Sequence, residues 1–84
     1  MVHVARKVPT QWYEVGIMLD IKISVLDTFV KEVADNNQVR LFMKVFEQWE
    51  KEQKVPFTWD TIINTLETLG ENKTATELKE WLNK

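Results

Sequence analysis

Three of the four tryptophans in a chain of 84 residues each open or close an apolar stripe with the spacing of one helix face. Trp12 leads the set Trp12, Val15, Gly16 and Leu19. Val39, Phe42, Met43 and Phe46 run into Trp49. Trp59 begins a set that continues through Ile62, Ile63, Leu66 and Leu69. Residues three and four apart share one side of an α-helix, so each stripe buries one face against a neighbour. An indole removes roughly 150–250 Å² from water on burial. Three such anchors can hold the core of a small helical domain, and a chain this short makes one modest core without a deep substrate cleft beside it.

The residues between the stripes punctuate them. Pro9 fixes its own backbone and restricts Val8, so a kink or a new start is expected there, with Thr10 capping the Trp12 helix. Gly16, inside a stripe, costs roughly 1 kcal/mol relative to alanine, which implies that another helix approaches closely at that point. Ser24 with Asp27 three residues on reads as a capping box ahead of the stripe Leu26, Phe29, Val30 and Val33. The stretch from Ile21 to Val25 then reads as a loop. Asp35-Asn36-Asn37 ends that stripe, because these side chains compete for backbone hydrogen bonds.

The stripe from Val39 to Trp49 reads either as one helix or as a short turn running into a longer one. Thr58 caps the Trp59 helix, Asp60 suits its dipole, and Gly70 closes it. Thr74 and Glu77 read as a capping box for a last helix carrying Ala75, Leu78 and Trp81 or Leu82. The expected architecture is all-α, five or six short amphipathic helices in a single domain over residues 1–84. Trp12, Phe29, Phe46, Trp49, Ile63 and Leu66 are expected to share one core, and Trp59 to be buried with them. Trp81 either staples the last helix or lies partly exposed.

Composition narrows the chemistry. Without cysteine there is no disulfide, thiolate nucleophile or thiolate metal site. His3 is the only histidine, which rules out a two-histidine metal site, and a chain end is a poor place for catalysis. Ser24 lacks the strand-to-helix elbow that exposes a nucleophile. No glycine-centred calcium loop or phosphate-binding glycine loop is present. The expectation is therefore a non-enzyme with no cofactor, metal or small-molecule substrate.

Acidic residues outnumber basic ones by 13 to 11, so the positive excess that displaces phosphate counterions is missing and no nucleic-acid partner is expected. No apolar run approaches a membrane span and no leader pattern opens the chain, so no membrane insertion is expected and the cytosol is the expected setting.

Charge placement is more informative. Arg40, Lys44, Glu47 and Lys51 fall opposite the apolar stripe of the Trp49 helix. Asp60, Asn64, Glu67 and Glu71 do the same for the Trp59 helix. A basic face on one helix and an acidic face on another suits like-with-like assembly.

Taken in order, these features resemble the death domain family. The family's first helix carries a tryptophan and a small residue, as in Trp12-Tyr13-Glu14-Val15-Gly16-Ile17-Met18-Leu19. A capped second helix follows from Ser24, and a tryptophan late in the fourth is matched by Val45-Phe46-Glu47-Gln48-Trp49. A polar connection leads into Pro56-Phe57-Thr58-Trp59 at the head of the fifth, and Leu69-Gly70 precedes a short last helix with Ala75 and Leu78. The resemblance covers roughly residues 9 to 82.

It implies a six-helix antiparallel bundle in a Greek-key arrangement, with a third helix around Asn37 to Leu41. It also implies homotypic protein–protein interaction in cell-death or innate-immune signalling, the partners being other death-fold domains, a second copy of this chain among them. In such domains the contacts come from exposed residues of the second to fifth helices and their connections. Here those are Lys31, Glu32, Arg40, Lys44, Lys51, Lys54, Asp60, Glu67 and Glu71.

Three other readings fit a chain of this size. One is a small helical DNA-binding domain reading bases through Asn36, Asn37, Gln38 and Arg40, against which the net acidity counts. Another is a structural dimerisation bundle with apolar contacts. The third is a different branch of the same superfold, such as a caspase-recruitment module.

Overall fold

The structure, a computed structural model describing residues 2–83, contains six α-helices and no strand among those residues. They are α1 (Val2–Lys7), α2 (Trp12–Met18), α3 (Ile23–Glu32), α4 (Gln38–Glu52), α5 (Trp59–Thr68) and α6 (Asn72–Leu82), with a 3-10 turn at Pro9–Gln11. None of these helices is long and apolar enough to cross a membrane.

The longest helix, α4, is central: it packs against α1, α2 and α3, while α5 packs against α6 and touches α2. The inner face of α4 buries Leu41, Phe42, Val45, Phe46 and Trp49. Phe42 stacks on Phe46, Phe46 lies 6.3 Å from Trp49, and Trp49 meets Phe57 edge to face at 4.6 Å between ring centroids, so an aromatic column runs along the inner face from Phe42 to Trp49 and on to Phe57. Trp12, Phe29, Phe46, Trp49, Ile63 and Leu66 all belong to one buried cluster, as expected.

Several local signals act as read. The chain leaves α1 just before Pro9, which opens the 3-10 turn. A methyl group added at Gly16 would lie 2.7 Å from Cδ2 of Leu26, so α3 does approach α2 at the one position without a side chain. Asn37, read only as part of the turn that ends a stripe, also caps α4: its Oδ1 accepts hydrogen bonds from the main-chain N–H groups of Val39 and Arg40. The Thr58 hydroxyl accepts from the N–H of Thr61 and caps α5. At the other end of α5, Gly70 (φ 82°) donates to Glu67 and Glu71 donates to Leu66, the paired bonds of a Schellman turn.

Three expected caps do not form. Thr10 lies within the 3-10 turn, and the start of α2 at Gln11 carries no side-chain cap. Ser24 lies inside α3, which starts one residue earlier from an extended Lys22. The cause is the end of α2: Asp20 takes a left-handed conformation and Ile21 donates back to Gly16, a second Schellman turn. Ile21 is buried there, and the chain re-enters a helix within two residues, making Ile23 to Val25 helical where a loop was expected. Thr74 fails as a cap for the same reason. The turn at Gly70 returns the chain so directly that α6 starts at Asn72 and Thr74 is buried inside it.

Three further expectations change. Residues 38–52 form one unbroken helix, so no separate third helix lies at Asn37 to Leu41; the count of six is reached through α1 instead. Val30 is 41% exposed, because α3 turns Leu26, Phe29 and Val33 inward and leaves Val30 on its flank. Trp59 is only half-buried: it is the first residue of α5, and its aromatic neighbour is Trp81, itself 57% exposed.

Candidate interaction surface

The outer stripe of α4 carries Arg40, Lys44, Glu47 and Lys51 at alternating steps of four, three and four residues, which aligns them along one side of the helix. Lys44 is held by the neighbouring helix. Its Nζ donates to Oε2 of Glu32 in α3 at 2.7 Å and lies 5.8 Å from the centre of the Phe29 ring. The hydrogen bond to Glu32 raises the Lys44 pKa above the ordinary lysine value, against a smaller opposing effect of desolvation.

Other candidates are also tied within the fold. Glu67 on α5 accepts from Nζ of Lys79 on α6 at 2.9 Å. Oε1 of Glu71 accepts from the amide of Gln11 at 2.9 Å, joining the α5–α6 turn to the 3-10 turn. Lys54 lies 3.7 Å from Glu52. Of the nine residues expected at an interface, the structure therefore pairs Lys44 with Glu32 and engages Lys54, Glu67 and Glu71 elsewhere. Lys31, Arg40, Lys51 and Asp60 are exposed and form no ion pair among the described residues. Of the nine, the uncommitted charges are thus basic on α3 and α4 and acidic at the start of α5, and Glu47, exposed on the same α4 stripe, also forms no ion pair among the described residues.

A second surface was missed in the sequence. Trp59 of α5 and Trp81 of α6 meet at 69° with ring centroids 5.5 Å apart. Together with Val2 of α1 and Leu78 of α6 they line an open trough of about 520 Å³, with Glu77 and Glu80 also on its walls. Spacing assigns Trp59 to the core because it starts a good stripe. Its place at the head of the helix gives no separate signal, since Trp12 heads α2 in the same way and is buried.

No group of three or more His, Asp or Glu side chains is placed to hold a metal ion among the described residues. Every buried side-chain nitrogen or oxygen among them has a hydrogen-bond partner. No protein-family model, curated protein or solved structure matches this chain.

Proposed function

We propose that this domain is a non-enzymatic, cytosolic protein–protein interaction module that assembles with domains like itself, in the manner of death-fold signalling domains. The observation that carries the reading is the uncommitted charge of opposite sign on two helices: Arg40 and Lys51 on α4, Asp60 on α5. A basic surface on one copy can meet the acidic surface of the next. Such a contact joins unlike patches and propagates as a ring or a helical stack rather than closing as a two-fold dimer. The ordered residues shared with death domains and the all-helical architecture support the family reading. The Greek-key arrangement belongs to this proposal.

The test is sedimentation velocity over a range of protein concentrations at low and high salt. Rim charge pairs orient a contact and are screened by salt, so weak, concentration-dependent association that fades at high salt is expected. A monomer at every concentration in low salt would contradict self-assembly. Association indifferent to salt would identify an apolar dimerisation bundle instead, and a salt-sensitive complex with duplex DNA would favour the helix-turn-helix reading.

A further inference from the structure

We infer that the trough lined by Val2 of α1, Trp59 of α5 and Leu78 and Trp81 of α6 docks a basic segment of a partner protein, an arginine beside a bulky aliphatic residue. The aliphatic side chain lies on the apolar floor and the guanidinium reaches the Glu80 carboxylate. The inference uses none of the charges on α4 and α5 and does not rest on the assembly reading.

The floor supplies the first argument. Val2 and Trp81 are 43% and 57% exposed, and both face the trough together with Leu78 and the half-buried Trp59. Apolar surface rimmed by polar groups marks an interaction site. The hollow, about 520 Å³, has the size of sites that hold small ligands. Seven residues line it, against the roughly 20–30 that each side of a standard protein–protein interface contributes. By itself it therefore fits a short segment rather than a second folded copy.

Charge decides which segment. Glu77 and Glu80 both line the trough from α6, and His3 is the only other titratable group on its walls. Lys7 lies 3.7 Å from Glu77, whereas Glu80 forms no ion pair among the described residues. The Glu80 carboxylate is thus left to solvent and to the occupant of the trough, and a cation is its complement. An acidic segment would set its charge against both glutamates.

Trp81 favours arginine over lysine. Its ring meets Trp59 edge to face, at 69° and 5.5 Å, and most of Trp81 stays open to solvent. A guanidinium is flat and needs only one open ring to stack on, while its N–H groups stay free to donate in its own plane. Carboxylates stand where those donors point: Glu80 precedes Trp81 in α6, and Glu77 lies one turn before it. A lysine can pair with Glu80 too, but as a compact, strongly hydrated charge it gains less from the ring.

The experiment is an NMR titration of the whole domain that follows its four indole N–H signals. The probe is a blocked, alanine-rich peptide with one arginine–leucine pair. It is compared with versions carrying lysine, neutral citrulline or glutamate in place of the arginine, and with one carrying alanine in place of the leucine. The Trp59 and Trp81 signals are expected to move while those of Trp12 and Trp49 stay. The arginine peptide should bind about threefold more tightly than the lysine, citrulline and alanine forms, and about tenfold more tightly than the glutamate form.

An absence of movement at Trp59 and Trp81 would overturn the site. Equal binding of the arginine, citrulline and glutamate peptides would show that charge plays no part, and lysine binding as tightly as arginine would overturn the stacking on Trp81. An alanine form as tight as the leucine form would remove the apolar floor from the account. Movement of the same signals on dilution of the domain alone would assign the trough to a second copy. Trp81→Ala should abolish the response at Trp59, and retained binding would contradict the inference. Should Trp81→Ala unfold the domain, Glu80→Gln decides: it should weaken the arginine peptide about threefold and leave the citrulline peptide unchanged, and equal effects on both would sink the idea.

Discussion

The indole N–H of Trp49 donates to the main-chain carbonyl of Val55 at 2.7 Å, fastening the connection out of α4 onto the core. Trp49 thus acts twice, as a buried member of an aromatic column and as the hydrogen-bond partner of a partly buried carbonyl. Trp49→Phe keeps most of the packing but orphans that carbonyl, and is expected to cost about 1–3 kcal/mol. Trp49→Ala also opens a cavity and is expected to cost about 3–5 kcal/mol, much of the stability of a domain this small. Urea unfolding of both variants checks the order. A Trp49→Ala protein melting within a few degrees of the parent would contradict the buried role.

Gly16 and Leu26 give a second, sharper test. Helix propensity alone favours Gly16→Ala by about 1 kcal/mol, but the new methyl would lie 2.7 Å from a Leu26 carbon that is fully buried. Overpacking of this kind costs about 1–3 kcal/mol, so a net loss is expected. In a Leu26→Val background the same change should cost less, or even stabilise. A double-mutant cycle with no coupling would show that the close approach is not what requires glycine.

The helix ends make opposite predictions for residues that look alike in sequence. Asn37→Ala should cost about 1 kcal/mol because it removes a cap to two main-chain N–H groups. Ser24→Ala should change stability by less than about 0.5 kcal/mol, since that side chain caps nothing. Asp20→Gly should stabilise by about 0.5–1 kcal/mol by relieving a left-handed conformation at the turn after α2. Thermal melts of the three variants suffice; a costly Ser24→Ala would restore the capping box.

These ends also show where the sequence was legible. Stripes anchored by large side chains identified α2, α4, α5 and the shared core, because burial of Trp12, Trp49 and Leu66 outweighs local preference. The cap at Thr58 was legible from its place just before a stripe, whereas Asn37 was read only as part of a stripe-ending turn and its cap to α4 was not anticipated. Ser24 and Thr74 misled because each follows a Schellman turn, and such a turn fixes where the next helix starts through a tertiary anchor that short motifs do not encode. The interface residues were legible as exposed charge, but their partners were not: Glu32 and Lys44, or Glu67 and Lys79, lie twelve residues apart and meet only through helix packing.

The Lys44–Glu32 contact carries a pH signature. Lys44 has a raised pKa in the folded state, chiefly through its hydrogen bond to Glu32. A lysine raised on folding contributes stability that is fully present below its unfolded pKa, about 10.4, and lost as pH rises through the folded value. Stability should therefore fall on the alkaline side of about pH 10, and Glu32→Gln should flatten that part of the curve. Urea midpoints from pH 8 to 11 measure it, and an unchanged slope in Glu32→Gln would show that the pair is not formed in solution.

Assembly through opposed charges is tested most directly by reversing one charge on each surface at positions free of internal pairs. Lys44 and Glu67 are unsuitable, because reversal there would set like charges against Glu32 and Lys79 inside the monomer. Arg40→Glu and Asp60→Lys avoid this. Sedimentation equilibrium in low salt, at concentrations where the parent associates, should find each variant alone monomeric, with association regained when the two are mixed in equal amounts. Two variants that stay monomeric when mixed, or that associate separately as the parent does, would contradict assembly through the α4 and α5 surfaces.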